Sequence, residues 1–119
     1  FGVYIMKLVL EWVKTQGGLA AVEQVNREKK DLLYHAMDAA QDFYKGTADK
    51  DSRSWMNVTM RLPSEELEAK FIADGKKEGL LGIKGHRSVG GIRFSLYNAV
   101  SLEDVRKAVD FMEKFRKSA

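Results

Sequence analysis

The spacing of apolar residues changes period several times along the chain, and each change marks an element. Ten of the first thirteen residues are apolar. Lys7, Glu11 and Lys14 recur at four and three, so a helix from Phe1 to about Gln16 carries one narrow wet stripe, with Gly17-Gly18 as its stop. A helix apolar around most of its circumference must be covered on several sides. A two-layer domain of this length rarely surrounds a helix, so the pattern predicts that Tyr4, Trp12 and their neighbours face another domain or subunit rather than forming a central core helix.

A longer helix is expected from Leu19 to about Tyr44, because Leu19, Val22, Val25, Leu32, Leu33, Ala36, Met37, Ala40 and Phe43 recur at helical spacing. The charged run Arg27-Glu28-Lys29-Lys30-Asp31 in its middle reads as a solvated face with local ion pairing. His35 reads as a structural or surface histidine. Lys45 to Ser54 reads as a polar loop. From Trp55 to Leu62 the period becomes two, with Met56, Val58, Met60 and Leu62 on one face and Trp55, Asn57, Thr59 and Arg61 on the other: a strand. Pro63-Ser64-Glu65-Glu66 opens a helix with a cap and acids at its positive end, and Leu67, Phe71 and Ile72 make its buried side. Leu80 to Lys84 is expected to form a short second strand. Gly91 to Tyr97 alternates again, putting Ile92, Phe94 and Leu96 opposite Arg93, Ser95 and Tyr97. Ser101-Leu102-Glu103-Asp104 starts a last helix with a capping-box pattern.

The resulting order is helix, helix, strand, helix, strand, strand, helix. Such a chain folds as an α/β (α+β) two-layer sandwich, with helices on one face of a short, mainly antiparallel three-stranded sheet. Its 119 residues make one domain, 1–119.

Composition narrows the function classes. Charged residues make up 31% and the net charge is +3, with both signs interspersed, which argues against a nucleic-acid partner. The absence of cysteine excludes disulfide and thiolate chemistry and suits a reducing cytoplasm. His35 and His86 are the only histidines, and neither has a second ligand at metal-binding spacing, so no metal is expected. The apolar start is too short and too charged to span a membrane, and no basic region precedes it as a signal peptide requires. Because the chain opens at Phe1 directly on an apolar segment, it reads as a piece of something longer.

The stretch from Gly85 to Arg93 concentrates the candidate chemistry: His86, Arg87 and Arg93 as cations, with Gly85, Gly90 and Gly91 between them. One reading is a β-hairpin whose glycines serve geometry and whose charges are merely exposed. A nucleotide loop is weaker, since neither glycine-rich phosphate motif is present. Nucleophilic catalysis is weaker still, because Ser88 and His86 share the loop with no carboxylate to orient the histidine. Recognition of a doubly anionic small molecule suits the residue types best: arginine offers a planar fork for carboxylate or phosphate, and a histidine near phosphate tends to be held protonated.

The string Gly85-His86-Arg87-Ser88-Val89-Gly90-Gly91-Ile92-Arg93-Phe94-Ser95-Leu96-Tyr97-Asn98-Ala99 resembles the C-terminal segment of the phosphoserine aminotransferase family. The first helix with Gly17-Gly18, the run Asn26 to Tyr34, and Ser54-Trp55-Met56-Asn57-Val58 are similar as well, so the resemblance covers essentially the whole chain. It implies the small domain of a fold-type-I, pyridoxal-phosphate-dependent transaminase acting in the cytoplasm as a homodimer. Such an enzyme moves an amino group between glutamate and 3-phosphohydroxypyruvate, giving 2-oxoglutarate and phosphoserine in serine biosynthesis. Carried over by motif, Arg93 pairs with the substrate α-carboxylate while His86 and Arg87 hold its phosphate. Family enzymes carry the cofactor lysine and the carboxylate for the pyridine nitrogen on a preceding larger domain. No catalytic or cofactor-binding residue is therefore expected in this chain, Lys84 included, and alone it should be inactive. The alternative is a free-standing, non-catalytic module that binds a phosphorylated or carboxylated metabolite.

Overall fold

The computed structural model describes residues 1–119. Four α-helices, α1 (Gly2–Thr15), α2 (Leu19–Asp38), α3 (Glu65–Lys77) and α4 (Leu102–Ser118), accompany three strands, β1 (Lys45–Gly46), β2 (Asn57–Arg61) and β3 (Ile92–Ser95). The sheet is antiparallel throughout, in the order β1-β2-β3. In the β2–β3 register Val58 faces Phe94 and Met60 faces Ile92, and all four are buried on the helix side. Leu33 and Met37 of α2, Phe71 of α3, and Val105, Met112 and Phe115 of α4 close over them. Phe71 sits at the centre, its ring 4.9 Å from Phe111, 5.0 Å from Phe115, 6.0 Å from Tyr44 and 6.3 Å from Phe94. The expected two-layer architecture, with one buried sheet face, is the observed one.

Helix ends follow their local chemistry. After α1, the Gly18 and Gly17 N–H groups donate to Val13 O at 3.0 Å and Lys14 O at 3.1 Å, which satisfies carbonyls the helix leaves open. Ser64 caps α3 by accepting from the Leu67 N–H, and Ser101 with Asp104 forms a complete capping box on α4. No residue of α1 is buried: Val3 is 81% exposed, and the helix rests mainly against α2.

Three local expectations are corrected. The second helix ends at Asp38, not near Tyr44. Beyond it the chain keeps turning through bonds from Ala40 N–H to Met37 O, Phe43 N–H to Ala40 O and Tyr44 N–H to Ala40 O, so Ala40 and Phe43 stay on the core side without a regular helix. This roll also buries Tyr44, whose hydroxyl donates to Met112 O at 2.7 Å; burial pushes its pKa up. The expected polar loop at 45–54 instead supplies β1 and a 3-10 turn, Lys50–Ser52. The expected strand at 80–84 shrinks to a single bridge between Lys84 and Ile92, because Gly82 takes a φ of +69° that no extended strand accommodates.

The charged run in α2 is the fourth correction. Lys29 is 1% exposed, not solvated, and its ammonium donates to three carbonyl oxygens: Leu96 at 3.3 Å, Tyr97 at 3.0 Å and Val100 at 2.9 Å. These carbonyls belong to the turn leaving β3, where no neighbouring strand pairs them. Beside it, Asn26 donates from Nδ2 to Asn98 Oδ1 at 2.9 Å. Arg27 with Glu23, and Lys30 with Asp31, pair locally at the surface as the run suggested.

The hairpin ahead of β3 depends on close backbone approach. Gly85 N–H donates to Gly91 O at 2.8 Å, and Arg93 N–H donates to Ile83 O at 2.8 Å. Between them, Val89 and Gly90 N–H groups both donate to His86 O. A Cβ on residue 85 would lie 1.9 Å from Gly90 O, and one on residue 91 would lie 2.7 Å from Met60 O.

Two measurements check this reading. Lys29→Met takes the ammonium donor from Leu96 O, Val100 O and Tyr97 O, the last of which keeps the Val100 N–H, and should lower unfolding stability by about 2–4 kcal/mol in denaturant titrations. Burial lowers the Lys29 pKa below the ordinary 10.5, so the folded state loses that proton at lower pH than the unfolded chain. Wild-type stability relative to Lys29→Met should therefore rise as pH climbs from the folded value toward 10.5. Gly85→Ala should cost about 1–3 kcal/mol and shift the amide resonances of residues 85–91, while a wild-type spectrum there would contradict the close approach.

Candidate functional site

All three candidate residues lie on this one hairpin. His86 and Arg87 are exposed on the loop between Gly85 and Gly91, and Arg93 follows on β3. From Gly91 to Arg93 is two strand residues, about 7 Å along the chain. Alternation does the aiming: Ile92 and Phe94 are buried, so Arg93 projects from the opposite, outer face of the sheet, across from Thr59 of β2.

That outer face is polar. Asn57 pairs across the strands with Ser95, whose hydroxyl donates to Asn57 Oδ1 at 3.3 Å; Asn57 Nδ2 donates in turn to the Tyr97 hydroxyl at 3.3 Å. Thr59 meets Thr47 through a hydroxyl–hydroxyl hydrogen bond. Arg93 sits among these neutral groups and makes no side-chain hydrogen bond or ion pair. Its Nε is buried without any partner. A buried guanidinium N–H with no acceptor is costly unless a further group completes it. Arg53 Nε is likewise buried without a partner, but the rest of that guanidinium differs: its Nη1 and Nη2 fork onto Asp38 at 2.8 and 2.6 Å, and it lies 4.5 Å over the Tyr34 ring. That guanidinium holds the Asp38 carboxyl below the ordinary carboxylate range, so both its arms are committed within the fold.

His86 is oriented from within the loop. Its Nδ1 lies 2.6 Å from Ser88 Oγ and 3.3 Å from Ser88 N. A backbone N–H can only donate, so Nδ1 is the acceptor here, the hydroxyl donates to it as well, and the proton sits on Nε2. Nε2–H is then a donor free to meet an anion. Arg87 has neither an ion pair nor a hydrogen bond to its side chain.

Two residues that sequence reasoning did not single out brace the loop. Arg61, at the end of β2, donates from Nε to Glu68 Oε1 at 2.6 Å and from Nη1 to Val89 O at 3.2 Å. Glu68 on α3 is buried and also accepts the Leu62 N–H at 3.2 Å. Alternation along 55–62 placed Arg61 on the polar face, but no sequence signal links it to a carbonyl 28 residues away.

The site is open surface rather than a closed pocket. A cavity of about 730 Å³ lies elsewhere, between Leu8, Val9 and Trp12 of α1, Val22 and Val25 of α2, and the 98–102 turn. No cluster of His, Cys, Asp or Glu has the grouping to hold a metal ion, and no helix is long and apolar enough to cross a membrane. What the hairpin offers is a set of donors that the fold leaves uncommitted.

The chain is 52% identical over 118 residues to the phosphoserine aminotransferase of Niallia circulans, covering 99% of this chain and 33% of that protein. It superposes on the structure of phosphoserine aminotransferase from Bacillus circulans subsp. alkalophilus with a TM-score of 0.95 at 52% identity, over 99% of this chain and 33% of that one. A PLP-bound phosphoserine aminotransferase from Trichomonas vaginalis matches 87% of the chain and 30% of its own, at 35% identity and a TM-score of 0.80. The chain thus spans about a third of the length of the curated relatives it matches. The aminotransferase class-V pattern itself matches residues 1–108, and with that match the chain belongs to the class-V aminotransferase family.

Proposed function

We propose that this chain is the substrate-gripping small domain of a pyridoxal-phosphate-dependent phosphoserine aminotransferase, which exchanges an amino group between glutamate and 3-phosphohydroxypyruvate. The observation that carries the reading is Arg93, whose Nε is buried and unpartnered on a polar sheet face one turn of chain from two further free donors. Every substrate of such a reaction bears an α-carboxylate, and the planar fork of Arg93 is built to take one bidentately. Only phosphoserine and its keto acid bear a phosphate, and for that group the Nε2–H of His86 and the guanidinium of Arg87 are the available donors. A molecule held at both ends is fixed in orientation, which is the chain's contribution to rate.

The cofactor would supply the electron sink for amino-group transfer, and its attachment lies outside these residues. Lys84 is exposed on the hairpin, and Lys29, the one buried lysine, already gives its ammonium to three carbonyls. The outer face carries cations, hydroxyls and an amide, a set suited to anions rather than to anchoring a pyridine ring. The match across residues 1–108 disfavours a free-standing metabolite-binding module. In this reading the unburied apolar side of α1 packs on the remainder of the enzyme or on a second subunit of a homodimer.

In the full-length enzyme, Arg87→Ala should lower kcat/KM for phosphoserine on the order of 10- to 100-fold and leave the glutamate half-reaction within a few-fold. Arg93→Ala should depress both half-reactions by comparable factors, and single-turnover kinetics separate the two patterns. Equal loss in both half-reactions from Arg87→Ala would contradict its assignment to the phosphate. The 119-residue chain alone should self-associate through its exposed apolar helix, and sedimentation equilibrium giving a monomer at high concentration would contradict that covering role.

A further inference from the structure

We propose that Arg61 and Glu68 are positioning residues that hold the His86–Arg87 loop in its anion-binding shape, an inference that rests on the reading of that loop as the phosphate grip.

The loop has little of its own to stiffen it. Its residues from His86 to Gly90 are exposed, and inside it only two backbone bonds, both to His86 O, and the contact between Ser88 and His86 hold the turn. Above the Gly85–Gly91 closure at its base, one side-chain hydrogen bond ties it to the rest of the fold. Arg61 crosses beneath the returning leg, where the missing side chain at residue 91 makes room: a Cβ there would lie 2.8 Å from Arg61 Cδ. From this crossing, Nη1 reaches Val89 O at 3.2 Å while Nε holds Glu68 at 2.6 Å. Glu68 is itself fixed, 6% exposed on α3 and accepting the Leu62 amide at 3.2 Å. The relay therefore runs from a buried carboxylate on a helix, through a guanidinium, to the backbone of the loop that carries two of the three candidate donors. A guanidinium suits this role, since its planar fork donates from Nε and Nη1 in two fixed directions, whereas a lysine has a single nitrogen that would have to lie within reach of Glu68 and Val89 O together.

The test uses the full-length enzyme with Arg61→Lys and Glu68→Gln. Both variants retain a partner for the group left behind, a cation near Glu68 in the first and an acceptor for Arg61 and the Leu62 amide in the second, so folding is kept. Two readouts are taken: hydrogen exchange of the peptide spanning residues 85–91, and KM and kcat for phosphoserine and for glutamate. The expected result is faster exchange in that peptide with core peptides of α3 and α4 unchanged, and a KM for phosphoserine raised about ten-fold with kcat and the glutamate KM nearly unaltered. Unchanged exchange at 85–91 in Arg61→Lys overturns the anchoring role whatever the kinetics. Faster exchange accompanied by equal effects on phosphoserine and glutamate leaves the anchor standing and overturns the assignment of the loop to the phosphate.

Discussion

A methyl group at residue 85 would sit 1.9 Å from the carbonyl oxygen of Gly90, and this single exclusion shapes the hairpin that carries the candidate site. Because neither Gly85 nor Gly91 carries a side chain, the two legs of the hairpin close to a direct backbone hydrogen bond. That closure sets where the loop turns, and it sets the parity of the strand that follows. With Ile92 committed to the core, Arg93 has one direction left, outward and across from Thr59. The same absence of side chain at residue 91 lets Arg61 pass under the loop. Conformational permission at a corner is thereby converted into the placement of charge.

The core is arranged to keep that corner still. Inside, Phe71 and its ring neighbours press α3 and α4 onto the buried sheet face, and α3 carries Glu68 into contact with Arg61. On the other side of β3, the Lys29 ammonium ties the outgoing turn to α2 through three carbonyls. The strand that bears Arg93 is thus gripped at both ends by buried or half-buried charge. In each case an ion binds backbone that has no ladder partner. Charges placed this way add little net stability compared with apolar packing, yet removing one partner is expensive, so they specify a geometry more than they strengthen it.

How much of this was legible in the sequence depended on the range of the interaction involved. Period-two alternation over 55–62 and 91–97 identified both long strands and the outward direction of Arg93, because the burial of Val58, Met60, Ile92 and Phe94 follows from neighbours two residues apart. Caps at Ser64 and Ser101 were local and readable for the same reason. The failures were of longer range. Lys29 lies in a run of charges that looks solvated, and its burial is decided by carbonyls 67 to 71 residues away. Strand β1 has two residues and is defined by pairing with β2, not by its own pattern. Residues 80–84 look strand-like, but the positive φ of Gly82 breaks their extension. The tail beyond Asp38 keeps helical spacing in turns that are not a helix. His86, Arg87 and Arg93 stood out as candidates by residue type and glycine spacing, whereas the link of Arg61 and Glu68 to their loop needed the fold.

The most direct measurement of the central claim is a crystal structure of the full-length enzyme with phosphoserine bound. The account predicts the phosphate within hydrogen-bond distance of His86 Nε2 and the Arg87 guanidinium, with the α-carboxylate on the Arg93 fork and its buried Nε satisfied. A phosphate held by other residues, with Arg93 Nε still unpartnered, would contradict it.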